Sequence, residues 1–227
     1  GAHRDLHSFP TRRSSDLTNA AGGINGQQLV LKTANDEYKP EQAVAIFRQL
    51  AAENTVATLM PVGSPAMTRI LKDGLPETLK LPIIGLVPGA EPFRTPLNPY
   101  VYHVRAGDLA QYRKLVEHAS TTGLKRIAVA YADIPFGTAG LAAIEGMLKK
   151  QGQDLAARVA LPMADPARLP EIVDALARNT PDIVFVVSPA KLAGDFLKAY
   201  RAKGIGAPLA MPSYGNADVL CAIAGKD

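Results

Sequence analysis

The chain has 227 residues, about half of them apolar (47%) and one fifth charged, a balance suited to a water-soluble globular fold of one or two domains. The net charge of +4 is scattered: Arg12-Arg13 and Lys149-Lys150 are the basic doublets, and no stripe of bases interleaved with aromatics supports nucleic-acid binding. Cys221 is the only cysteine, which excludes an intrachain disulfide and a cysteine-based zinc site, and no apolar run approaches the ~20 residues that span a bilayer.

In chain order, Gly1–Leu17 lacks apolar periodicity and has no apolar core of a secretory signal. His7–Leu17 resembles the translated sequence of a short-read sequencing adapter, so residues 1–17 are read as a non-native or disordered leader. Asn19–Gly26 reads as a helix end running into a tight turn, with glycines free to take positive φ. Gln28–Lys32 reads as a strand. A helix follows from Pro40 with Ala43, Ile46, Phe47 and Leu50 on its buried face. Strands are expected at Val56–Pro61, Leu81–Leu86 and Val101–Val104, and helices at Ser64–Leu71 and Leu109–Ala119.

Lys125–Lys149 is the most informative stretch. Ile127–Tyr131 is an apolar run fit for a strand buried on both faces. The breaker cluster Asp133–Gly137 follows, then a helix with Leu141, Ile144, Met147 and Leu148 at helical spacing. A loop between a parallel strand and its helix lies where open α/β sheets bind ligands, and here it carries Phe136, a flat apolar wall. Beyond it lie an extended run near Val159, a helix Arg168–Arg178, a strand Ile183–Val187, a helix Leu192–Ala202, a short strand Pro208–Met211 and a helix over Asp218–Ala224. This alternation predicts parallel sheets with helices on both faces. Val62–Ala66 and Val187–Ala190 echo each other as strand end, Ser-Pro-Ala, helix, which places Ser64 and Ser188 as N-caps with proline at N1. Two such helix starts facing one cleft would favour an anionic group.

The turn Asn19–Gly26, the run Asp36–Ala43, the segments Leu81–Glu91 and Tyr100–Ala106 and the stretch Lys125–Lys149 together resemble, in order, the type I periplasmic solute-binding proteins of ABC importers, the class that binds branched-chain amino acids and related solutes. The resemblance covers Thr18–Asp227. It implies an α/β fold of two Rossmann-like lobes with parallel sheets joined by a hinge, incomplete here. The first strand would precede Thr18, and the rest of the second lobe would follow Asp227. The first lobe would run over 18–105 and the second over 106–227. A chain so shortened is expected to fold weakly and aggregate, because inner strand edges lose their partners.

The resemblance also implies a site. Ser64 matches the residue whose hydroxyl holds a ligand carboxylate. Gly89 and Ala90 lie in the loop after the third strand, where relatives offer backbone N–H groups, and Pro88 removes one donor. Phe136 matches an aromatic cover over the ligand, and Ser188 stands at the equivalent helix start of the second lobe. Ser213 stands where branched-chain amino acid binders carry a carboxylate for the ligand's ammonium, so an aromatic acid, an amide or another small organic solute suits the chain as well as a free amino acid. Tyr214 beside it can donate a hydrogen bond or stack on a ring. Arg105 is read as a structural ion-pair partner near the hinge.

The resemblance implies a periplasmic or membrane-anchored, monomeric protein that hands a small solute to the membrane subunits of an importer. It implies no catalysis, cofactor, metal or nucleic acid. The same fold also serves as the ligand-sensing domain of receptors and regulators.

Overall fold

The computed structural model describes residues 13–225, which fall into two compact units divided between Glu37 and Tyr38. The leader over residues 1–12 lies outside the described residues.

In the first unit, residues 13–20 form a helix, α1, which begins within the stretch read as a leader. Its end is the expected tight turn. Gly22 and Gly23 take positive φ, and Asn25-Gly26, at φ 51° and 78°, make the two-residue turn that lets Ile24 and Gln27 exchange backbone hydrogen bonds at 2.8 and 2.9 Å. The expected strand at Gln28–Lys32 does not form. Asn19 takes the backbone bonds of Leu29 instead, its amide donating to the carbonyl at 2.8 Å and its oxygen accepting from the N–H at 2.7 Å.

The second unit holds two sheets. The first is parallel and three-stranded, in the order β1 (Thr58–Leu59), β2 (Ile83–Ile84), β3 (Val101–Tyr102). The strands are shorter than their apolar runs because Met60 (φ 48°) and Gly85 (φ 72°) turn the backbone out of the extended region. Single bonds carry the pairing further, Met60 N–H to Ile84 O and Gly85 N–H to Tyr102 O, each 2.8 Å. Ile83 and Val101 face a core built by α2 (Pro40–Ala52), α3 (Ser64–Lys72) and the short α4 (Leu75–Leu79), through Ala43, Phe47, Met67, Ile70 and Leu75. Among the described residues of this unit nothing covers the opposite face. Leu59, Ile84 and Tyr102 stand in register across the three strands, and with Val104 they are 38–71% exposed. The expectation of helices on both faces therefore fails for this sheet among the described residues.

The second sheet is parallel and four-stranded, in the order β5-β4-β6-β7. Its strands are β4 (Ile127–Ala132), β5 (Ala157–Leu161), β6 (Ile183–Val187) and β7 (Leu209–Ala210). Helices cover both of its faces, as the sequence pattern predicts. Ala128, Ala130, Val184 and Val186 pack against α7 (Leu169–Ala177) and α8 (Ala190–Ala202). Ile127, Val129, Phe185 and Val187 alternate to the other side, against α5 (Asp108–Thr121) and α6 (Pro135–Lys149). The chain closes with α9 (Ala217–Ala224), capped by the Asn216 side chain, which accepts from the N–H groups of Asp218 and Val219. The strand order reverses at β4, so the carboxyl ends of β4 and β6 form a topological switch point.

Candidate ligand-binding site

Phe136 and Tyr214, 78 residues apart in sequence, meet at that switch point. Phe136 opens α6 in its first turn, and Tyr214 hangs from the loop after β7; their rings sit edge to face with centroids 5.1 Å apart. Gly137 makes this close helix start possible, since a Cβ there would stand 2.0 Å from the Ala132 carbonyl oxygen. Gly140, one turn on, leaves room for the Tyr112 hydroxyl and Val187. Tyr112 is buried on α5, and burial first, then the charge of Asp108, pushes its pKa up to about 12. Burial raises that of Tyr214 further. Its hydroxyl is enclosed and has no hydrogen-bond partner among the described residues. Both phenols are therefore neutral, polar spots in an aromatic wall.

Arg105 joins this wall to the first sheet. Its Nη1 donates to the Val87 carbonyl at 2.5 Å, its Nη2 to Asp108 Oδ1 at 3.1 Å and its Nε to Ser213 Oγ at 3.2 Å, and the guanidinium lies 5.4 Å from the Tyr214 ring centroid. The ion-pair role expected for Arg105 is present, with Asp108 as partner. Burial raises the Asp108 pKa while Arg105 opposes the shift. Gly89 lies beneath it: a Cβ would stand 2.1 Å from Asp108 Oδ1. Ser213 is exposed, and its N–H donates to Gln111 Oε1 at 2.7 Å.

No hydrogen bond or ring contact among the described residues joins Ser64, Ala90 or Ser188 to Phe136, Tyr214 or Arg105. Ser64 is half-buried at the start of α3, and its side chain makes no hydrogen bond among the described residues. Gly63 (φ 105°) is the N-cap, so Ser64 is the first helical residue and not the cap the sequence predicts. Ser188 likewise lies one residue before the Pro189 cap of α8; it is fully buried, and its hydroxyl donates to the Pro189 carbonyl at 3.4 Å. Ala90 caps the 3-10 turn Glu91–Phe93. Sequence reasoning missed Asp108, Gln111 and Tyr112, although their spacing on one helix start is a readable signal. It also missed Tyr38, whose exposed ring lies beside Gly63. A separate cavity of about 360 Å³ between α8, β7 and α9 is lined by none of the candidate residues. Among the described residues no cluster of His, Cys, Asp and Glu is placed to hold a metal, and no helix is long and apolar enough to cross a membrane.

The family model described as periplasmic binding protein matches residues 15–226. The chain belongs to this family, in its type I class. An extracellular ligand-binding receptor from Verminephrobacter eiseniae is 32% identical over 92% of the chain, with a TM-score of 0.79. A substrate-binding periplasmic protein from Ralstonia solanacearum is 30% identical over 98%, with a TM-score of 0.84. An ABC transporter solute-binding protein from R. palustris, in complex with benzoate, is 18% identical over the whole chain (TM-score 0.80) and shares the fold. The chain spans 59%, 62% and 62% of these three proteins. No curated protein matches it. The family is one of solute-binding proteins.

A half-buried histidine next to Phe93 and Arg94 gives a pH test. His103 Nε2 faces the Phe93 carbonyl at 3.1 Å, while Nδ1 is buried without a partner. Burial, then the charge of Arg94, holds its pKa below the ordinary 6.5. The fold thus prefers the neutral ring, and the stability this supplies is complete above pH 6.5 and lost as pH falls through the lower folded value. The melting temperature should drop as pH falls below 6.5, with a shallower drop in His103→Gln. An equal slope in both proteins would count against this role.

Proposed function

We propose that the chain is part of the extracytoplasmic solute-binding component of an ABC importer, with lobes over 18–105 and 106–227 that close around a small amino-acid-like or organic-acid solute. Ser64, Gly89 and Ala90 serve the first lobe's side; Phe136, Ser188, Ser213 and Tyr214 serve the second. The observation that carries this reading is the edge-to-face pair of Phe136 and Tyr214 at the switch point. Ring edges offer a binding surface to a planar apolar group. Ser213 offers no charge to an ammonium, and Asp108 is already paired with Arg105. These features favour an acid without an amino group, and an aromatic acid above all. The benzoate complex of a neighbour with the same fold adds support, and its ABC-transporter role favours transport over sensing.

The test is a calorimetric panel of benzoate, 4-hydroxybenzoate, phenylalanine and leucine. Aromatic acids should bind, Phe136→Ala should weaken them about tenfold or more through lost apolar contact, and Tyr214→Phe should separate a ligand hydrogen bond from ring contact alone. Binding of leucine with no response to aromatic acids would overturn the aromatic-acid reading.

A further inference from the structure

Arg105 engages all of its guanidinium nitrogens, and its partners divide into two sets. Val87 and Asp108 are neighbours on its own side: Val87 follows β2, and Asp108 opens α5 three residues downstream. The Arg105 main chain is held there too, its carbonyl accepting from Arg94 Nη2 at 2.9 Å. Ser213 and Tyr214 belong to the loop after β7, more than a hundred residues away. The near set comprises a charge-assisted pair and a short bond to a carbonyl, with the arginine side chain 14% exposed. The far set is weaker: a neutral hydroxyl at 3.2 Å on an exposed serine, and a ring at 5.4 Å. Gln111 repeats the arrangement one turn along α5, donating to the Ala106 carbonyl at 2.8 Å and accepting from Ser213 N–H at 2.7 Å.

We propose that Arg105 is a positioning residue for the solute site: a latch, fixed to Val87 and Asp108, that holds the Ser213–Tyr214 loop against the first sheet and so seats Tyr214 on Phe136. Arg105 acts on the solute through Tyr214. Release breaks the far contacts and keeps the near ones. Ser213 can then turn to water at little loss, whereas Asp108 would be left a buried unpaired charge if the near contacts broke. Loop 211–215 is therefore the part that moves, and Gln111 shares the load. The affinity consequence rests on the solute-binding reading; the conformational consequence does not.

The experiment labels Ala217→Cys, an exposed position two residues past the latched loop, in a chain whose exposed and only cysteine, Cys221, is replaced by serine. A second label site comes from Thr68→Cys on the exposed side of α3. Spin-label distances between the two are measured without solute in the parent and in S213A, Q111A, the S213A/Q111A double variant and R105K. The single variants should broaden the distribution, the double variant should broaden it most, and R105K, which keeps a charge for Asp108, should lie between parent and double variant. These substitutions leave Asp108 paired, so folding is preserved. Distributions in the double variant and R105K that superpose on the parent's would overturn the latch. With benzoate as probe, the double variant should bind about tenfold more weakly, the loss expected when a loop must be ordered without its hydrogen bonds. Broadened distances with no benzoate binding by any form would uphold the latch and remove the aromatic-acid reading. Broadened distances with unchanged benzoate affinity would overturn the link between latch and site.

Discussion

Gly137→Val should leave almost no folded protein. The residue sits in the first turn of α6, and its added Cβ would meet the Ala132 carbonyl oxygen at 2.0 Å and the Ala132 N and carbonyl carbon at 2.8 Å. These are main-chain atoms at the end of β4, between β5 and β6, so no flexible side chain can yield. Overpacking typically destabilises by about 1–3 kcal/mol, and a backbone clash exceeds that range. Domains are stable by only about 5–15 kcal/mol, so such a loss approaches the whole. Gly146→Ala on the same helix is the control. A methyl group at that position would meet nothing within 4 Å, and the change should stabilise by ~1 kcal/mol through helix propensity. Soluble yield and thermal melts followed by circular dichroism decide the matter; a Gly137→Val melt matching the parent's would show that the helix start can move.

The bare face of the first sheet should make the chain associate. Leu59, Ile84 and Tyr102 form a continuous apolar row over three strands, extended by Val104 and Met60. Parallel sheets are ordinarily covered on both faces, and an uncovered apolar patch draws in a partner, a dye or another copy. Light scattering should rise steeply with protein concentration, and an apolar dye should fluoresce on the native protein. Replacing Leu59, Ile84 and Tyr102 together by threonine puts β-branched residues on the strands and removes the patch. The triple variant should stay monodisperse at concentrations where the parent aggregates. A parent that sediments as one species and leaves the dye dark would refute the expectation.

Legibility in the sequence differs between the two sheets for physical reasons. Ile127–Tyr131 and Ile183–Val187 are apolar without interruption because both faces are buried, and both strands stand within one residue of where the pattern puts them. The strands of the first sheet are cut to two residues by positive φ at Met60 and Gly85, which hydrophobic periodicity does not register. The helix α4 is hard to read because it has five residues, enclosed by left-handed Gly74 and Lys80. Ser64 and Ser188 miss the cap positions because Pro65 and Pro189 do not take N1; they occupy N2 of α3 and the cap of α8. Of the site, Phe136 is legible as a loop aromatic, but its contact with Tyr214 is not: nothing local ties residues 78 positions apart. The Arg105–Asp108 pair has helical i, i+3 spacing and lies within reach of the pattern.

The unequal covering of the two sheets has a thermodynamic consequence. Opening β4 or β6 exposes core on two sides at once, whereas opening the first sheet exposes core on one. The free energy of local opening should therefore be graded along the chain, higher at β4 and β6 than in the first sheet. A single unfolding free energy assigned to this molecule would average a deeply protected body with a shallow one.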